Sequence, residues 1–125
     1  MEQESAAGRT KPPTLSCHAL DTTLGVPARG MRVRLQISRG GLRGSKWETI
    51  SDHETNEDGR IRDFAPLPEA GTYKVVFDTA SYFQKAGVKE YFYPQVKIVF
   101  IVQAGQHYHV PLLISPYGYS TYRGS

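Results

Sequence analysis

The feature that most constrains this chain is a two-residue period in short apolar stretches, each closed by turn-forming residues. Met31, Val33, Leu35 and Ile37 alternate with Arg32, Arg34 and Gln36, the pattern of a strand with one buried and one wet face. Similar stretches stand at residues 15–21, 72–78, 95–102 and 106–114, and shorter strands are expected at 46–51, 60–62 and 117–123. Turn chemistry separates them: residues 22–25, the Gly/Arg/Ser stretch 38–45, Asn56-Glu57-Asp58-Gly59, Ala104-Gly105 and Ser115-Pro116. Asp78 or Thr79 is placed to cap one brief helix holding Tyr82, Phe83 and Ala86, with Gly87 as its stop. Seven to eight strands and one short helix predict an all-β fold, a two-layer antiparallel β-sandwich.

Composition fits one folded unit. The 125 residues are 39% hydrophobic and 22% charged, and eight Tyr and five Phe favour β structure. The net charge of +3 is spread along the chain rather than gathered into a basic stripe, so nucleic acid is not an expected partner. An anionic small substrate is compatible with it. The single cysteine, Cys17, excludes an intramolecular disulfide and reads as a small buried hydrophobe. No apolar run reaches the length of a membrane span, and residues 1–13 (MEQESAAGRTKPP) read as a flexible tail before a domain at 14–125. A cytoplasmic protein is expected, with the peroxisome left open.

The histidines are the first chemical clue. In His107-Tyr108-His109-Val110-Pro111-Leu112-Leu113-Ile114, Tyr108, Val110, Leu112 and Ile114 share the core face. His107, His109, Pro111 and Leu113 therefore point outward. In the first strand Leu15, Cys17 and Ala19 face one way and Ser16, His18 and Leu20 the other. Leu20 and Leu113 beside the two histidines suggest that a second subunit covers this face. Solvated surface histidines remain the plain alternative. A His107/His109 metal pair would need a third ligand, and His18, His53 and the carboxylates form no spacing signature, so no metal is expected. No G-x-S-x-G frame supports a serine nucleophile. Arg60, after the Asn56–Gly59 turn, could equally be an ordinary edge-strand arginine.

Four segments together resemble the 5-hydroxyisourate hydrolase family, which shares the transthyretin fold. They are Leu15-Ser16-Cys17-His18-Ala19-Leu20-Asp21, Thr55-Asn56-Glu57-Asp58-Gly59-Arg60, Phe92-Tyr93-Pro94-Gln95-Val96, and the stretch from His107 to Ser125. The last, with Ser115-Pro116-Tyr117-Gly118-Tyr119-Ser120-Thr121-Tyr122-Arg123-Gly124-Ser125, is the most specific, and the likeness covers about residues 14–125. The resemblance implies a transthyretin-like homotetramer, a dimer of dimers whose sheets face across a channel. It implies hydrolysis of 5-hydroxyisourate to 2-oxo-4-hydroxy-4-carboxy-5-ureidoimidazoline without a cofactor. His18, Arg60 and His109 would be the catalytic residues, and Ser120, Tyr122, Arg123, Gly124 and Ser125 would bind substrate, with Arg123 bringing a second cation close to it. One departure is Ala19, on the core face, where the family leads us to expect a larger aliphatic residue. A carrier of the transthyretin type, holding an aromatic small molecule without turnover, is the alternative.

Overall fold

The computed structural model describes residues 11–40, 46–64 and 66–125. Most of the expected tail (1–10) and part of the expected 38–45 turn (41–45) lie outside the described residues. The elements run β1 (Thr14–Asp21), β2 (Val26–Pro27), β3 (Arg32–Ser38), β4 (Trp47–Glu54), β5 (Arg60–Ile61), β6 (Gly71–Phe77), α1 (Thr79–Lys85), β7 (Val96–Val102), β8 (His107–Ser115) and β9 (Gly118–Thr121). One sheet is ordered β2-β1-β8-β9, with β5 also paired to β1; the other is β4-β3-β6-β7. This is the expected two-layer sandwich with one short helix.

Alternation decides which side of each strand meets the core. Leu15, Cys17 and Ala19 from β1 and Tyr108, Val110, Leu112 and Ile114 from β8 are buried. They meet Val33, Leu35 and Ile37 of β3 and Tyr73, Val75 and Phe77 of β6, also buried. Each Val, Leu, Ile or Phe among them taken out of water stabilises the fold by roughly 1.5–3 kcal/mol before entropy is counted. Ala19 is wholly buried, so the smaller side chain is accommodated in the packed layer. Cys17 is wholly buried too, and burial pushes its thiol pKa far up, which makes it packing rather than a nucleophile.

Two buried polar clusters tie the layers. The Asp78 carboxylate accepts the Ser81 N–H at 3.1 Å and so caps α1. From α1 the Tyr82 hydroxyl donates to buried Asp21 at 2.7 Å, and Asp21 also accepts the Thr23 and Leu24 N–H groups. Buried Thr55 accepts the Met31 N–H and donates to the Ala28 carbonyl, holding the chain just before the 56–59 turn.

Four details differ from the expectations. β1 and β8 run parallel, in register from Thr14 opposite His107 to Asp21 opposite Ile114, while the other strand pairs are antiparallel. The chain leaves the first sheet after β2, touches it again at β5 while building the second, and returns along β8 in the same direction. β4 continues to Glu54, so His53, expected in a polar stretch before the turn, sits on a strand with its ring edge-on to Phe64 at 4.8 Å. The last strand ends at Thr121 rather than Arg123, and β2 was not foreseen. No helix among the described residues is long and apolar enough to cross a membrane.

Candidate functional site

The site is built on the outward face of the β5-β1-β8 segment of sheet. The turn at 56–59 comes first. Asn56 accepts the Asp58 and Arg60 N–H groups with its side-chain oxygen, and its own N–H donates to the Arg60 carbonyl. Gly59 closes the turn at φ +73°, where its carbonyl accepts the Ala19 N–H at 2.7 Å. That bond registers β5 on β1, so Arg60 lies directly opposite His18. On the other side of β1, Ser16 is level with His109 and His18 with Pro111.

Both histidines are half-buried, with ring centroids 6.4 Å apart and planes tilted by 35°. Nε2 of His18 lies 3.0 Å from the Asp58 carbonyl. A carbonyl can only accept, so Nε2 carries the proton and Nδ1 of the neutral ring keeps a free lone pair. Nδ1 of His109 is 2.7 Å from the Ser16 hydroxyl, which leaves Nε2 as the nitrogen outside that hydrogen bond. Loss of hydration holds the His18 pKa below the ordinary imidazole value, and the Arg60 cation adds to this against the opposing pull of the Asp58 carbonyl. His109 is lowered likewise, first by desolvation, then by Arg60, His18 and His107, against a hydrogen bond that its ring donates to the Ser16 backbone. Two neutral imidazoles beside a fixed cation can take up a proton and stabilise a developing oxyanion.

The end of the chain forms one wall. Gly124 bridges back to His109, its N–H donating to the His109 carbonyl at 2.8 Å. A cavity of about 270 Å³ is lined by Ser16, Arg60, Arg62, His107, His109 and Ser125, among others. So the fold brings His18, Arg60, His109, Gly124 and Ser125 together. It does not bring Arg123 with them. That guanidinium lies 4.4 Å over the Tyr108 ring and donates to the Gln106 side chain and the His107 carbonyl. Arg123 and Tyr122 line an apolar cleft of about 200 Å³ with Ile98, Phe100 and Ile101, which shares only His109 with the first cavity. Ser120 is opposite Leu113, outward but further along the sheet. Among the described residues no three His, Cys, Asp or Glu side chains are grouped to hold a metal ion.

Thr14, Ser16 and His107 are not among the expected catalytic or substrate-binding residues. All three belong to the hydrogen-bonded surroundings of His109: Thr14 to His107 at 2.7 Å, and Ser16 to His107 at 3.1 Å. Their signal was Thr14 and Ser16 sharing the outward face of β1 with His18.

A β-sandwich with a concave, histidine- and arginine-lined sheet face is a scaffold for small-molecule chemistry. The family model described as "HIUase/Transthyretin family" matches residues 15–124. The chain is 47% identical over 120 residues to "5-hydroxyisourate hydrolase 2" of Rhizobium meliloti, covering 89% of this chain and 95% of that one. The solved structure of a Klebsiella pneumoniae 5-hydroxyisourate hydrolase superposes with a TM-score of 0.74 at 45% identity, covering 90% of this chain and 99% of the other. Sea bream transthyretin, solved with thyroxine, gives a TM-score of 0.77 at 28% identity over 88% of this chain and 93% of its own. The chain belongs to the HIUase/transthyretin family.

Proposed function

We propose that this protein is a 5-hydroxyisourate hydrolase, an enzyme that opens a cyclic amide and yields 2-oxo-4-hydroxy-4-carboxy-5-ureidoimidazoline. The observation that carries the reading is the register that sets Arg60 opposite His18 on one side of β1 and His109 level with Ser16 on the other. Water attacks the C6 carbonyl of the substrate, and the N1–C6 bond breaks. His18 and His109 act as the base for the water proton and its partner; both hold a free nitrogen when neutral. Arg60, planar and permanently charged, orients the anionic substrate and stabilises charge growing on the carbonyl oxygen. Gly124 and Ser125 close the pocket, and Arg123 holds that segment in place through Tyr108 and Gln106.

The working form is a homotetramer whose channel is lined by these faces. Partly exposed Leu20 and Leu113 beside the histidines, together with exposed Tyr119 and Tyr122, favour a covering subunit. In that assembly Ser120 and Tyr122 complete the substrate pocket. Freshly generated 5-hydroxyisourate should decay faster in ultraviolet absorbance with the protein than without it. No acceleration would favour the carrier alternative. Light scattering that finds a fully active monomer at micromolar concentration would remove the channel.

A further inference from the structure

His109 is not an isolated imidazole but the inner end of a chain of four polar side chains. Thr14 Oγ1 lies 2.7 Å from His107 Nδ1, His107 Nε2 lies 3.1 Å from Ser16 Oγ, and Ser16 Oγ lies 2.7 Å from His109 Nδ1. The parallel pairing makes this possible: it sets Thr14 level with His107 and Ser16 level with His109, all on one face. Ser16 has a single hydroxyl proton and two imidazole nitrogens within reach, so it donates to one ring and accepts from the other. The two rings are thereby forced into matched tautomers.

We propose that Ser16 and His107 are positioning residues that form a proton relay behind His109. In the resting arrangement His109 Nδ1–H donates to Ser16, the Ser16 hydroxyl donates to His107 Nε2, and His107 Nδ1–H donates to Thr14. His109 Nε2 then faces the site with a free lone pair. When Nε2 takes a proton from the attacking water, the Nδ1 proton passes to the Ser16 oxygen and the Ser16 proton passes to His107 Nε2. The positive charge moves to His107 and leaves His109 neutral, with a proton on Nε2. Delivery of that proton to the leaving ring nitrogen reverses the sequence, so the net transfer is one proton from water to nitrogen.

Electrostatics favours the outward move. A cationic His109 is half-buried beside Arg60 and His18, whereas His107, at the rim of the same cavity, is exposed to water, which screens its charge. Arg123 lies beside the His107 backbone, and its guanidinium is engaged by the Tyr108 ring, the Gln106 side-chain oxygen and the His107 carbonyl.

The relay rests on the reading of His109 as a group that exchanges protons with the reaction, and the test separates the two. Steady-state kinetics on 5-hydroxyisourate would compare wild type with Ser16→Ala, Ser16→Thr, His107→Gln and His109→Ala. Ser16→Ala and His107→Gln should each lower kcat by about 10- to 100-fold with KM within about three-fold, a smaller loss than removing the acid–base group itself. Ser16→Thr keeps a hydroxyl on the same carbon and should recover at least half of that loss on a logarithmic scale. In ¹⁵N spectra of the imidazoles, Ser16→Ala should shift His109 from one tautomer toward a mixture. The relay is wrong if Ser16→Ala or His107→Gln keeps the wild-type kcat while His109→Ala is crippled. It is equally wrong if Ser16→Thr is as damaged as Ser16→Ala. An active enzyme in which His109→Ala is harmless would instead overturn the role given to His109.

Discussion

Gly124 shows how little room the site leaves at the level of single atoms. A Cβ placed there would meet Cδ2 of the His109 ring at 2.5 Å, and the chain on either side is held by the His109 bridge and by Arg123. Gly124→Ala should therefore push the imidazole off its Ser16 partner and cost turnover by at least about 10-fold, while thermal stability hardly changes because the position is at a sheet margin. Wild-type kcat/KM in that variant would mean that the ring has space to yield. His18→Ala and His109→Ala should each reduce turnover by about 10²–10⁴-fold, the usual range for a lost acid–base group. His53→Ala should leave kinetics alone and register only in the melting temperature, since His53 lies on β4, in the other sheet, with its ring against Phe64. The pH profile follows from both site imidazoles being held below their ordinary value of about 6.5. Their neutral, proton-accepting forms persist under mild acid, so the acid limb of kcat/KM should lie below about pH 6.5. The same shift means that any stability these groups contribute is present above that pH and lost as pH falls, because the unfolded chain takes up protons first. An acid limb clearly above 6.5 would contradict the assignment.

At the level of elements, the turn at 56–59 is what converts a surface arginine into a site residue. A Cβ on Gly59 would run into the Ala19 carbonyl and crowd the Ala28 nitrogen at 3.1 Å, at a φ that side chains rarely adopt. Gly59→Ala should thus cost about 1–3 kcal/mol in stability and also lower kcat in the folded fraction, as β5 slips on β1. Denaturant unfolding and kinetics on the same preparation would check both. The faces of β1, β3 and β8 were legible because one side of each is dry, which leaves a two-residue period in the letters. β2 was not, since Val26 and Pro27 are two exposed residues and carry no period. The outward placement of His18 and His109 could be read, but not what stands beside them. The Thr14–His107–Ser16–His109 chain depends on which strand neighbours which, in what direction and in what register, and a single strand's pattern contains none of that. The place of Arg123 within the single chain could not be read for a related reason. Past Thr121 the ladder survives as one bridge, so parity no longer tells where a side chain goes.

For the whole molecule, residues 122–125 separate function from stability. Removing them takes away the Gly124 wall, Ser125 and the Arg123–Tyr108 stack, an exposed cation–π contact worth about 0.5–1 kcal/mol. Activity should fall by more than about 100-fold, while the melting temperature drops by only a few degrees; wild-type kcat/KM in the shortened chain would leave the pocket to His18, Arg60 and His109 alone. The parallel pairing of β1 with β8 has a further effect on how the protein comes into being. Each residue of β1 has its partner 93 positions later, from Thr14 with His107 onward. During synthesis β1 emerges from the ribosome early and must wait, its outer edge unmatched, until nearly all of the described chain has followed. Closing so long a loop is slow, which places this sandwich among domains that fold in milliseconds to seconds rather than microseconds. The second sheet, assembled from neighbours closer in sequence, can form first. His18 and His109 become neighbours only when β8 docks, so the candidate site cannot exist before this late pairing is made.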